Sequence, residues 1–164
     1  MINELIRSRG LNLKVDSVDE MIFPCNTPRM SEVIGAQRPR AVNMNGTIRM
    51  YTARKHKLAM ACIADMYIQG HPNAPHATDL RPIIIEISTQ RKLPQSAPKK
   101  RDGEQDVFKP DIDNICKLVL DALTGLAWQD DAQIIGIIQT KQPRTGTQDH
   151  IAVKISYCTP ERKR

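Results

Sequence analysis

Between Asp111 and Asp131 the chain carries Asp111, Asp113, Asp121, Asp130 and Asp131 but a single cation, Lys117, so a protein of net charge +6 holds one stretch of net −4. Lys109-Pro110 precedes the first aspartate, and proline biases its surroundings toward extended backbone. In an extended stretch residues 111 and 113 point the same way, so two carboxylates converge at the start of a helix. Lys117 follows Asp113 by one helical turn, about 6 Å along the axis. Asp130-Asp131 follow Trp128 just before an apolar run, which places them at a sheet edge facing the helix start. Three clustered carboxylates repel one another unless a cation fills the gap. A donor set of oxygens without His or Cys suits Mg²⁺, with Mn²⁺ able to substitute, rather than zinc. Such an ion polarises a phosphoryl oxygen and activates water. Lys117 would stabilise the developing charge or orient the water.

Plainer readings stand beside these. Asp111 and Asp113 also fit as helix caps. Lys117 also fits as a surface ion pair with Asp113 or Asp121, worth about 0.3–0.5 kcal/mol. Asn114 caps the helix or supports the carboxylates, and Asp121 reads best as an exposed residue. Trp128 reads as core rather than as a base-stacking platform, because aromatics make up only 4% of the chain.

These residues need elements to hold them. The pattern predicts a strand near Met21–Phe23, a long loop with Pro24, Pro28, Gly35 and Pro39, and a strand over Thr47–Tyr51. Thr52 reads as the N-cap of a helix whose apolar stripe is Leu58, Cys62 and Met66 with Ile63 and Tyr67 alongside, ended by Gly70 and Pro72. Ile83, Ile85 and Ile87 alternate with Ile84, Glu86 and Ser88 as a strand. Residues 91–109 read as a flexible loop. Ile112, Ile115, Leu118, Val119 and Leu123 mark a second helix over Asp113–Thr124, stopped by Gly125. Strands follow over Ala132–Thr140 and Ile151–Tyr157, with Lys141–His150 suited to join them as a hairpin. The order β–β–α–β–α–β–β implies an α/β (α+β) fold: one domain, a mixed sheet and two main helices packed on it. Residues 1–20 read as an N-terminal extension, in which Leu5, Ile6, Leu11 and Leu13 also suit a short helix, and 21–164 as the domain.

Composition bounds the rest. The chain has 164 residues, 40% hydrophobic and 26% charged, with pI near 9.3. That suits one soluble globular domain, and no apolar run approaches the ~20 residues of a membrane helix. Cys25, Cys62, Cys116 and Cys158 form no Cys-x-x-Cys pair. With no secretory signal pattern, they read as reduced thiols in a cytoplasmic protein. Basic residues cluster away from the aspartates: Arg38, Arg40, Arg49, Arg54, Lys55 and Lys57 in one acid-free stretch, and Arg91, Lys92, Lys99, Lys100 and Arg101 in another. Arg38, Arg40, Arg49, Arg54, Lys55, Lys99, Lys100, Arg101 and Lys109 are the candidate DNA contacts, holding phosphates around a hard-metal site.

The stretch Asp111-Ile112-Asp113-Asn114-Ile115-Cys116-Lys117, then Asp121-Ala122-Leu123, then Asp130-Asp131-Ala132-Gln133, resembles the RusA family of Holliday junction resolvases. The family pattern there is D-x-D-N-x-x-K, D-A-L and D-D-A-Q before a strand. Weaker echoes lie at Gly46–Thr52 and at Phe23-Pro24 with Asn26. The resemblance implies a crossover junction endodeoxyribonuclease: a small α/β homodimer, dependent on Mg²⁺, making paired symmetric nicks in branched double-stranded DNA during recombination and repair. Asp111, Asp113 and Asp131 would be its metal ligands, Lys117 its functional lysine, and Asp130 a neighbouring acid added to the metal set. No small-molecule cofactor and no membrane are implied. Such proteins are commonly carried by phages and prophages. Two other classes stay open: a non-catalytic DNA-binding protein whose acids cap a helix, and a nuclease of broader taste for flaps or forks.

Overall fold

The computed structural model describes residues 2–161 apart from 38, 39, 52, 73–79, 95, 99, 100 and 147. Its elements run α1 (Ile2–Ser8), β1 (Leu13–Pro24), β2 (Arg40–Met44), β3 (Thr47–Tyr51), α2 (Arg54–Gly70), β4 (Ile83–Gln90), α3 (Ile112–Leu123), β5 (Ile134–Lys141) and β6 (His150–Pro160). β1, β6, β4 and β5 lie in that order in one sheet, and β2–β3 form a separate hairpin. β1 and β4 both run antiparallel to β6, whereas β4 and β5 are parallel. The sheet is therefore mixed, as expected, within a single α+β domain.

The parallel pair follows from the chain order. A parallel connection needs a crossover element, and α3 supplies it between β4 and β5. This corrects the expected hairpin between the last two strands: β4 separates β5 from β6.

One sheet face carries the main core. Alternation points Ile83, Ile85 and Ile87 from β4 and Ile151, Val153, Ile155 and Tyr157 from β6 to the same side. There they meet Cys62, Ile63 and Tyr67 of α2 and Ile115, Leu118, Val119 and Leu123 of α3. Fully burying one such aliphatic side chain stabilises by about 1.5–3 kcal/mol. Of the expected α2 stripe Cys62, Ile63 and Tyr67 are buried, whereas Leu58 and Met66 are only partly so and Ala59 is buried in addition. Thr52 lies outside the described residues, and Ala53 stands at the N-cap position of α2 without a side-chain cap bond.

On the opposite face α1 covers one end, with Ile2 and Ile6 packed against Ile84 and Cys158. β1 starts at Leu13 and pairs with β6 on both sides of residue 20. Among the described residues no helix is long and apolar enough to cross a membrane.

Candidate active site

Pro110, after a cis peptide bond, leads into α3. Asp111 occupies the N-cap position with extended dihedrals (φ −69°, ψ 148°), and its carbonyl accepts the first helical bond from Ile115 N–H at 3.1 Å. Its side chain makes no cap hydrogen bond. The carboxylate lies instead against the Lys109 ammonium, with the two side chains 48% and 83% exposed. So exposed a pair is worth no more than about 1 kcal/mol, and Asp111 is cheap to redirect. Asp113 is exposed in the first turn, where the helix dipole favours an anion by about 0.3–1 kcal/mol. The Asn114 amide donates to its Oδ1 at 3.4 Å.

A loop fixes this helix start. Ala36 N–H donates to the Asn114 carbonyl at 2.7 Å. Gln37 N–H donates to Nδ1 of the buried His56 at 3.0 Å, so that nitrogen is an acceptor. Gly35 lies so close that a Cβ there would sit 2.7 Å from the Asn114 Cβ and 3.2 Å from that of Pro110.

Asp131 arrives from the other end of α3. Gly125 (φ +81°) turns the chain after the helix and donates its N–H to the Trp128 carbonyl at 2.7 Å. Trp128 is fully buried, and its indole N–H donates to Asp131 Oδ1 at 2.8 Å. The single Thr124 hydroxyl proton is shared between this oxygen, at 2.6 Å, and the Leu120 carbonyl, at 2.8 Å. Oδ1 is thereby pinned, and Oδ2 carries no hydrogen bond within the described residues. Asp130 has a different task. Its Oδ1 accepts from Ala132 N–H at 2.7 Å and caps the 3₁₀ turn Asp131–Gln133. Gln133 closes the turn reciprocally, accepting from Gln129 and Asp130 N–H and donating to the Arg81 carbonyl at 3.1 Å. Asp130 therefore presents Asp131 and has one oxygen committed to the backbone.

Asp113 and Asp131 flank Cys116. Burial first, then the charges of these two aspartates, pushes its thiol up to about 11. Among the described residues, however, no three His, Cys, Asp or Glu side chains stand close enough to hold a metal ion as placed. Asp111 is turned to Lys109 at the start of α3, and Asp131 is held at its far end by Thr124 and Trp128. The exposed carboxylates still fit a hard cation by donor type. Lys117 is exposed one turn beyond Asp113 and makes no ion pair within the described residues, so its reading as a tether of Asp113 or Asp121 falls away.

Asp111, Lys109, Pro110 and Asn114 line a cleft of about 380 Å³ with Glu32, Gly35 and Arg91. Arg91 and Glu32 also line an adjoining hollow of about 570 Å³ with Lys92 and Arg144. Of the expected DNA contacts, Arg54 is exposed at the start of α2, Lys55 pairs with Glu32 at 3.3 Å, and Arg101 pairs with Glu104 at 2.7 Å. Arg40 and Arg49 lie on the β2–β3 hairpin, and their side chains are outside the described set. Arg38, Lys99 and Lys100 lie outside the described residues. The expectation of a flexible 91–109 loop is corrected for its described part. Leu93 N–H bonds the Thr145 carbonyl, Gly103 N–H the Arg144 carbonyl, and Arg144 N–H the Glu104 carbonyl.

Sequence reasoning gave no site role to Thr124, Gly35, His56, Asp106 and Lys141, took Arg91 only as part of a basic run, and read Trp128 as core, as its full burial bears out. Trp128 alone carried a signal: a buried indole needs an acceptor, and Asp131 stands three residues on.

The family model for Endodeoxyribonuclease RusA matches residues 31–156. A Bacillus subtilis (strain 168) relative, "Uncharacterized protein YqaN", is 29% identical over 118 residues, covering 67% of this chain and 81% of its own length.

Proposed function

We propose, from the premise that this chain belongs to the RusA endodeoxyribonuclease family, that it resolves four-way DNA junctions by paired, symmetric, Mg²⁺-dependent phosphodiester hydrolysis. One observation carries the assignment of the site: Asp111 stands where a capping aspartate would stand, yet its carboxylate caps nothing. A helix start that leaves the carboxylates of Asp111 and Asp113 exposed, together with an Asp131 pinned by one oxygen, offers acceptors to something cationic.

Asp111, Asp113 and Asp131 would hold Mg²⁺ or Mn²⁺. The ion, when bound, supplies charge to the scissile phosphate and a more acidic water. The chain supplies the rest. Trp128 and Thr124 hold Asp131 in one rotamer. Lys109, freed as Asp111 turns to the cation, becomes available to a phosphate in the cleft it lines. Lys117, one turn along α3, places an unpaired ammonium beside the same helix start to offset charge as the phosphate becomes more negative. The basic residues on the β2–β3 hairpin and α2 bind the DNA backbone, a contribution that falls with salt.

Cutting opposed strands symmetrically calls for a two-fold pair of sites, which a homodimer provides. The working location is the cytoplasm of a bacterial or phage-infected cell. Asp113→Asn tests the site. Cleavage of a four-way junction should fall by at least about 100-fold, and binding in EDTA should persist or tighten. Full activity in Asp113→Asn would refute the assignment. Equal cutting of flaps and junctions by the wild type would broaden the substrate class.

A further inference from the structure

We infer that Arg91 and Lys141, bridged by Asp106, are positioning residues that aim Asp111 by clamping the backbone just before it; the inference rests on the nuclease reading above.

The topology supplies the two cations. β4 and β5 are neighbouring parallel strands, with Thr89 in register with Lys141. Arg91 immediately follows β4 and Lys141 ends β5, so both project from the same edge of the sheet. Between them sits Asp106, its side chain 1% exposed against 13% for each cation. Arg91 grips Asp106 with two nitrogens, at 2.7 Å from Nε and 2.5 Å from Nη2. Lys141 Nζ lies 3.8 Å from Oδ2, the oxygen that also accepts from Arg91 Nε.

The remaining donors all go to carbonyls. Arg91 Nη1 donates to the Lys109 carbonyl at 2.5 Å, and Nη2 reaches the Phe108 carbonyl at 3.4 Å. Lys141 Nζ donates to the Phe108 carbonyl and, at 3.2 Å, to that of Pro110. Three successive peptide planes, 108 to 110, are thereby fixed. Around them Pro110 packs close to Gly35 and the Phe108 ring lies 5.3 Å from the Arg144 guanidinium, whereas Val107 is 81% exposed. The next residue after the clamped planes is Asp111. A shift of 1 Å in a group that must meet the reacting atoms can cost about 100-fold in rate. The clamp also leaves one buried positive charge in excess, beside a helix start that must gather carboxylates.

The test uses the full chain with Arg91→Gln, Arg91→Lys and Lys141→Met. Amide hydrogen exchange over residues 106–113 is measured without metal, alongside thermal melting, junction binding in EDTA, and cleavage against Mg²⁺ concentration. The expected result is faster exchange confined to 106–113 in Arg91→Gln and Lys141→Met, kcat at saturating junction down by at least about 30-fold and a higher Mg²⁺ requirement, with Arg91→Lys intermediate. Unchanged exchange in the segment, or unchanged kcat beside an active wild type, overturns the inference. Exchange accelerated throughout the chain, with binding lost and no recovery in Arg91→Lys, overturns it in favour of a purely structural ion pair. A wild type that cuts no DNA but shows the local exchange effect leaves the clamp standing and removes the nuclease reading instead.

Discussion

At the scale of single residues, the carboxylates of this site are distinguished by what holds them. Asp130 is consumed by a cap, Asp111 by a weak exposed ion pair, and Asp131 by a buried indole and a hydroxyl. Pinning one oxygen of a ligand typically changes metal affinity or activity 10–100-fold. Thr124→Val removes the hydroxyl while keeping shape, at an exposed position where packing losses are small. We expect a stability change of no more than about 1.5 kcal/mol and a loss of about tenfold in cleavage with a raised Mg²⁺ requirement. Melting curves beside metal titrations of activity check it. A variant with wild-type Mg²⁺ dependence would show that Asp131 needs no such support. The placement of Asp111, Asp113 and Lys117 on the start of α3 was readable because their spacing is local. Their neighbours were not, because Arg91, Gly35 and His56 reach that helix start only through tertiary contacts.

At the scale of elements, two devices set α3. The first is close approach at Gly35. An added methyl would meet the Asn114 Cβ at 2.7 Å, so Gly35→Ala must push the loop or the helix start aside. Overpacking of this kind costs about 1–3 kcal/mol. We expect junction cleavage to suffer beyond what the melting shift explains, because the displaced residues adjoin Asp111 and Asp113. The second device is the Asp106 clamp. Burial pushes the Asp106 carboxyl up, but hydrogen bonds from Arg91 and the charges of Arg91 and Lys141 outweigh it and hold it below its ordinary 3.8. A carboxyl lowered by folding stabilises the protein above its unfolded pKa, and that stability drains away as pH falls through the folded one. The clamp should therefore be intact at neutral pH and fail in acid below about pH 4. Asp106→Asn should destabilise by roughly 3–5 kcal/mol at neutral pH, by leaving two buried cations unbalanced, and should flatten the acid limb of stability. Urea midpoints against pH decide it; an unaltered acid limb would contradict the clamp.

Element legibility followed the same physics. α3, β4 and β6 were read closely because their apolar periods are unbroken. β1 was read only at its end, since a register shift between Val15 and Ser17 switches which residues face the core and breaks the alternation. β2 was read as loop although Asn45-Gly46, both at positive φ, form the turn to β3. An Asn-Gly between two extended segments is the short-range signal that would have found it. The partner of β5 was misjudged because strand order is set by α3 crossing over the sheet, which local sequence does not record.

At the scale of the whole molecule, the charge is divided: acids at the two ends of α3, bases on the β2–β3 hairpin, α2 and the 91–109 segment. Binding to a junction should weaken steeply with salt while the Mg²⁺ requirement of cleavage persists at low salt, because phosphate contacts and the metal site are separate. The proposed homodimer should run in solution at twice the 18.5 kDa chain mass by light scattering. A strictly monomeric protein making paired nicks would require another symmetry.

The most direct measurement is cleavage of a labelled mobile four-way junction beside matched linear duplex, with Mg²⁺ and with EDTA. The expected result is paired, symmetric nicks on the junction in Mg²⁺ alone, with the duplex intact. Junction binding without cleavage in either Mg²⁺ or Mn²⁺ would contradict the nuclease reading and return Asp111, Asp113 and Asp131 to a structural role in a DNA-binding protein.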